Sequence, residues 1–153
     1  MGLIYEREKL ATCREDAEPL LREHWREIAL NKDWIELAPD WIAYGVLEQL
    51  DKLRIFTARD ENSSGLRGYF VVIVGVGLHY RKTKFATNDI IFLHPDYRRG
   101  MAGARLIKFA MSHLAAEGAE IMHINTKCHA PLDSLFDRMG FEHIENVYAK
   151  RLI

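Results

Sequence analysis

Apolar and polar residues alternate along this chain with a period that changes several times, and each change marks a new element. "GLIYER" reads as a first strand. From Asp16 the period becomes helical, with Leu20, Leu21, Trp25, Ile28 and Ala29 at three- and four-residue spacing. Residues 33–39 read as a connection. A second helix is expected from about Pro39 to Leu50, with Asp40 near its start, where a carboxylate complements the helix dipole. The period then switches to two. "RIFTARD" and "LRGYFVVIVGV" flank the turn-forming "ENSSG" and predict a hairpin. "LHYRKTK" predicts a further turn, feeding a strand through "FATNDIIFLH" that Pro95 ends. A third helix is expected from about Met101 to Glu117, with Leu106, Phe109, Ala110 and Leu114 facing inward and Gly118 as its stop. "EIMHINTK" reads as a strand, and "APLDSLFDRM" as a short helix ended by Gly140. "FEHIENVYAKRLI" reads as a closing pair of strands around Glu145–Asn146.

The mid-chain helix joins two strands, so the crossover should be right-handed and those strands parallel. The expected result is a mixed sheet with helices packed on it. The 153 residues suit one domain, with no repeat or linker to divide residues 1–153.

Charge and cysteine content narrow the setting. The formal net charge is −1, without the basic excess of a sequence-independent nucleic-acid binder. Cys13 and Cys128 make no disulfide framework and fit a reducing compartment. The longest apolar run, "YFVVIVGVGL", is too short to span a bilayer, and "MGLIYEREKL" lacks the regions of a signal peptide. These features predict a cytoplasmic protein without a membrane partner. No Cys/His spacing suggests a metal site.

The stretch with most chemical content is "HPDYRRGMAGARLI". It places free backbone N–H groups at a helix N-terminus, where the dipole also favours an anion. Gly100 and Gly103 permit close approach, and Arg98 and Arg99 add charge. It is neither a P-loop nor a dinucleotide fingerprint. On spacing alone, a turn with solvated arginines explains it equally well.

"FLHPDYRRGMAGARLI" resembles the acetyl-CoA-binding segment of the GNAT superfamily of N-acetyltransferases. Leu93, His94 and Pro95 match its Val-x-Pro-like step, and Tyr97 and Arg98 its Tyr-Arg. Arg98, Met101 and Gly103 take the first, fourth and sixth places of the phosphate loop, with Met101 replacing a glycine and Gly100 one place earlier. "SLFDRMGF" and "VYAKRL" are similar to the family's late helix and final strand, as is the element order. "APDWIAY", "LRIFTAR" and "LHYRKTKFATNDIIFL" also resemble GNAT-like proteins of tailed phages and prophages. The resemblance implies an α+β fold: a mixed, mostly antiparallel central sheet flanked by helices in three α/β/α layers.

It further implies acetyl-CoA as cosubstrate and a primary amine as acceptor, joined by direct attack. The pantetheine arm would pair with Phe92 and Leu93. The pyrophosphate would lie on N–H groups of Arg98, Arg99, Gly100, Met101, Ala102, Gly103 and Ala104, with Asn125 and Lys127 facing the cofactor from the next strand. The family often dimerises, which leaves a homodimer open.

Transfer needs a base and a stabilised oxyanion, and the thiolate can take a proton. Asp89 is the first candidate base, expected to share a face with Ile91 and Leu93. A structural acid is the alternative. Phe136 stands where the family usually has a Tyr, so an acid would have to come from His129, Tyr148 or water. His123 is a second candidate base or a core histidine, and His79 and Tyr80 sit in a turn that could rim the acceptor site. Cys128 beside His129 lacks a third orienting group for covalent catalysis. Trp25, Trp34 and Trp41 fall where the family builds its acceptor wall, so one could line a pocket, with core packing the default for the other two. A GNAT-fold binding or assembly protein without turnover, such as a phage virion or morphogenesis component, is the second reading.

Overall fold

A computed structural model describes residues 2–153. Strands β1 (Leu3–Glu8), β2 (Leu53–Asp60), β3 (Leu66–Val76), β4 (Lys84–Leu93) and β5 (Ile121–His123) form one sheet in chain order. The first four pair antiparallel, and β5 joins β4 in parallel through the crossover. Helices α1 (Leu10–Ile28) and α2 (Trp41–Gln49) cover one face, and α3 (Ala102–Ala116) and α4 (Asp133–Arg138) the other. The expected α+β, three-layer arrangement is therefore present. No described helix is long and apolar enough to cross a membrane.

Two cores hold the layers together. Phe56, Phe70, Val72, Ala86, Leu106, Ala110 and Leu114 fill the α3 side. Leu20, Ile55, Tyr69, Val71 and Phe92 fill the α1 side. The sheet is buried on both faces, so β2 has almost no exposed position and the hairpin's period-two signal is weak there.

Three expectations need correction. Helix α1 starts at Leu10 rather than Asp16. Its first two turns direct only Leu10, Cys13 and Ala17 inward, small or isolated among charged residues, so the apolar period there is weak. Its cap comes from a distant element: the Leu10 N–H donates to Glu48 Oε2 on α2 at 2.8 Å. The strand in "EIMHINTK" is only Ile121–His123, so Asn125 and Lys127 lie beyond it. The closing strands do not form: residues 141–153 have neither strand nor helix, with Val147 and Tyr148 more than four-fifths exposed. A strand there would need a partner, and β5 offers an edge only three residues long.

The crossover makes β4 and β5 parallel as expected, and the helix ends at Asp40, Gly118 and Gly140 match their sequence signals. The Asp40 side chain caps α2 by accepting from the Ala43 N–H at 2.9 Å. Gly118 and Gly140 close α3 and α4 with positive φ of 88° and 82°.

Candidate functional site

The site is organised by the point where β4 and β5 part. They pair only from Phe85–Thr87 to Ile121–His123. Beyond that, the Asn125 N–H donates to the Asn88 side chain at 2.7 Å, and the two segments separate. The β5-facing edge of β4 from Asp89 to Leu93 then has no strand partner among the described residues. An unpaired edge is a template for an extended ligand.

Asp89 lies where this edge begins. Asn88 and Ile90 oppose adjacent β3 residues, Val72 and Val71, so Asp89 is the extra residue of a β-bulge. The bulge shifts the strand's phase. Ala86 packs on the α3 side, but Ile90 packs on the α1 side and Ile91 on the α3 side. Asp89 therefore faces α2 together with Ile90 and Phe92, not with Ile91 and Leu93 as strict alternation requires. There its carboxylate accepts from the Tyr44 hydroxyl. Burial first, then this carboxylate, push the Tyr44 phenol above its ordinary pKa, so it stays a donor.

At its far end the edge runs into the glycine turn. A 3-10 turn at Pro95–Tyr97 leads through Gly100, at φ 58°, to α3. The N–H groups of Arg99, Gly100, Met101, Gly103 and Ala104 have no acceptor among the described residues. A Cβ at Gly103 would meet nothing within 4 Å, so the space over the helix start is open. That combination fits a pyrophosphate.

The arginines divide. Arg98 donates through Nε to the Leu93 carbonyl at 2.7 Å, pairs through both terminal nitrogens with Glu27 on α1, and lies 5.1 Å over the Phe92 ring. The Arg98 hydrogen bond is the main reason the Glu27 carboxyl is held below its usual range. Arg98 thus braces the turn against α1. Arg99 and Arg105 have no acidic partner among the described residues and line a cavity of about 270 Å³ beside Tyr5 and Tyr97. Arg105 lies within the quoted stretch but one turn into the helix, past the loop's last glycine, where the phosphate-loop positions do not extend.

The other candidates are scattered. His129 is exposed, with Nε2 2.8 Å from the Ile28 carbonyl at the end of α1. Donating there leaves Nδ1 without a proton in the neutral ring. Tyr148 is 89% exposed on the irregular C-terminal segment. Phe136 is buried in the α3-side core against Phe141. His123 packs against Phe85, and Tyr80 is mostly exposed. Trp25 and Trp41 line a groove of about 400 Å³ between α1 and the α1–α2 connection, whereas Trp34 lies under Arg151.

Among solved structures, glucosamine-6-phosphate N-acetyltransferase from Arabidopsis thaliana superposes with TM-score 0.76 at 11% identity, covering 100% of both chains. Ribosomal-protein-alanine N-acetyltransferase from Brucella melitensis biovar Abortus 2308 gives 0.72 at 18%, covering 99% of each. The chain has the GNAT fold. A third GNAT structure, AAC(6')-Iy in complex with a CoA-based bisubstrate analogue, gives 0.67 at 18%, covering 100% of this chain and 99% of that one. No family model and no curated sequence matches the chain.

Proposed function

We propose that this protein is an N-acetyltransferase that moves an acetyl group from acetyl-CoA to a primary amine by direct attack. One observation carries the reading: the partnerless edge of β4 runs straight into a fan of free N–H groups at the start of α3. The first suits an amide-bearing arm and the second a pyrophosphate. The neighbouring folds support the same cosubstrate. One of them is named for an amino-sugar phosphate, and another is bound to a CoA-containing analogue.

In this reading Phe92 and Leu93 pair with the pantetheine arm, and of residues Arg98 to Ala104 the free N–H groups of Arg99, Gly100, Met101, Gly103 and Ala104 hold the phosphates, since those of Arg98 and Ala102 already bond to the Pro95 and Arg99 carbonyls. The Leu93 carbonyl already accepts from Arg98 and Phe92 pairs with Tyr69 across the ladder, so the Leu93 N–H is the freer backbone partner. Asn125 bounds the other wall. The bound cosubstrate supplies an activated thioester. The amine nitrogen forms the C–N bond as the C–S bond breaks, and Asp89 takes the amine's proton. The thiolate leaves and takes a proton from water, His129 or Tyr148. With Phe136 buried and apolar, the thiolate has no phenol at the usual place.

Calorimetric titration with acetyl-CoA, on wild type and Gly103→Glu, tests the reading. Saturable binding that the variant abolishes supports it. Absence of binding at millimolar ligand removes it.

A GNAT-fold binding or assembly protein without turnover is the second reading, with a phage structural component as one form of it. Phe136 and the exposed Tyr148 favour it. It is distinguished by acetyl-CoA binding without product formation across a panel of amines.

A further inference from the structure

Between α1 and the sheet lies a polar pair outside every sequence motif. The His24 ring stacks on Phe92 of β4, with centroids 4.6 Å apart and planes 15° apart. Its Nδ1 is 2.7 Å from the hydroxyl of Tyr69. Tyr69 sits opposite Phe92 across the β3–β4 ladder and is 3% exposed.

The pair fixes the tautomer. No other described group bonds the Tyr69 hydroxyl, and a buried O–H needs an acceptor. The hydroxyl therefore donates and Nδ1 accepts. Burial also pushes the His24 pKa down to about 4, so the ring is neutral near pH 7. A neutral imidazole carries one N–H. That proton sits on Nε2, which has no partner among the described residues.

His24 is partly buried, and the charges that act on it sit on three elements. They come from Glu27 on its own helix, Arg98 on the glycine turn and Lys127 on the segment across the opening. Phe92, beneath the ring, lies three residues beyond Asp89, about 10 Å along the strand toward the phosphate turn. Chemistry at Asp89 would put the thioester at one end of this distance. An amide-bearing arm would then pass His24.

We propose that His24 is a binding residue for that arm: it presents a fixed Nε2–H to a pantetheine amide carbonyl, with Tyr69 as the positioning residue that sets the tautomer. The assignment rests on the cosubstrate reading above. The alternative is a pair that only satisfies Tyr69 inside the core.

Nitrogen-15 NMR of the imidazole, without and with free coenzyme A, is the first arm of the test. The assignment expects an Nε2–H ring whose Nε2 signals move on saturation. Calorimetry with coenzyme A is the second. His24→Phe combined with Tyr69→Phe removes both polar partners and leaves no orphan hydroxyl, and should weaken binding about tenfold. His24→Gln keeps an acceptor and a donor, and should bind within about threefold of wild type. An Nδ1–H ring, or a folded double variant that binds like wild type, overturns the His24 assignment alone. A wild type that binds no coenzyme A overturns the cosubstrate reading and this assignment with it.

Discussion

The Tyr44 hydroxyl donates to the Asp89 carboxylate, tying helix α2 to the one residue of β4 that has no counterpart on β3. The bulge and the phenol together aim an exposed carboxylate at the start of the unpaired edge. If Asp89 is the base, Asp89→Asn should cut kcat by roughly 10²–10⁴-fold while acetyl-CoA affinity holds. Tyr44→Phe leaves the carboxylate in place but loosens it. It should cost about 1–2 kcal/mol of stability and lower kcat by less than Asp89→Asn does. Steady-state kinetics beside calorimetry decides this, and full activity in Asp89→Asn removes the base assignment.

The glycine turn separates a fold effect from a ligand effect. Gly103 has open space where a side chain would start, so Gly103→Glu should melt within a few degrees of wild type while losing acetyl-CoA. Gly100 is different. Its φ of 58° is strained for any side chain, and Gly100→Ala should cost about 1–2 kcal/mol. A Gly103→Glu variant that binds normally would mean the phosphates lie elsewhere, and calorimetry with thermal melts reads both quantities.

The layers, the hairpin and the crossover were legible because their signals are local. Apolar period, turn residues and the stops at Gly118 and Gly140 lie within the elements they define. What escaped depends on distant partners. Glu48 caps α1 from 38 residues away, and nothing near Leu10 announces it. The bulge at Asp89 is set by the register of β3 against β4, although the adjacent apolar pair Ile90–Ile91 is its local trace. The glycine turn at the start of α3 was legible as a motif. Arg98 was not legible as a brace, because Glu27 is 71 residues earlier. His24 and Tyr69 are 45 residues apart and look like ordinary helix and strand residues until the fold joins them.

Glu117, just past α3, accepts from Arg54 Nε at 2.7 Å and also pairs with Arg7. Arg54 is 4% exposed on β2, and its terminal nitrogen finds Asp51 and two carbonyls at 3.0 Å. Removing Glu117 would leave a buried guanidinium short of charge. Glu117→Ala should therefore destabilise by about 3 kcal/mol, the low end for breaking a buried pair, because Glu117 keeps some solvent contact. Urea unfolding measures this. A loss below about 1 kcal/mol would place the pair with surface ion pairs instead.

His24 also makes a prediction about pH that needs no ligand. Its pKa is lowered from 6.5 to about 4 on folding, chiefly by burial. Above pH 6.5 the ring is neutral in both states and contributes no pH dependence. As pH falls below 6.5 the unfolded chain takes up the proton first, so stability falls, and the loss is complete once pH drops below about 4. Within that window the slope is at most about 1.4 kcal/mol per pH unit, and less in practice because the ring keeps some contact with water. Asp60 is held well below the usual carboxylate range, by Tyr97 and by the Asn62 and Ser63 N–H groups. Its loss therefore comes at lower pH and does not mimic that of His24. Melting temperatures between pH 7 and 4.5 should fall faster for wild type than for His24→Gln, which has nothing to protonate at that site. Parallel curves would show that the imidazole titrates alike in both states, contrary to a buried ring locked by Tyr69.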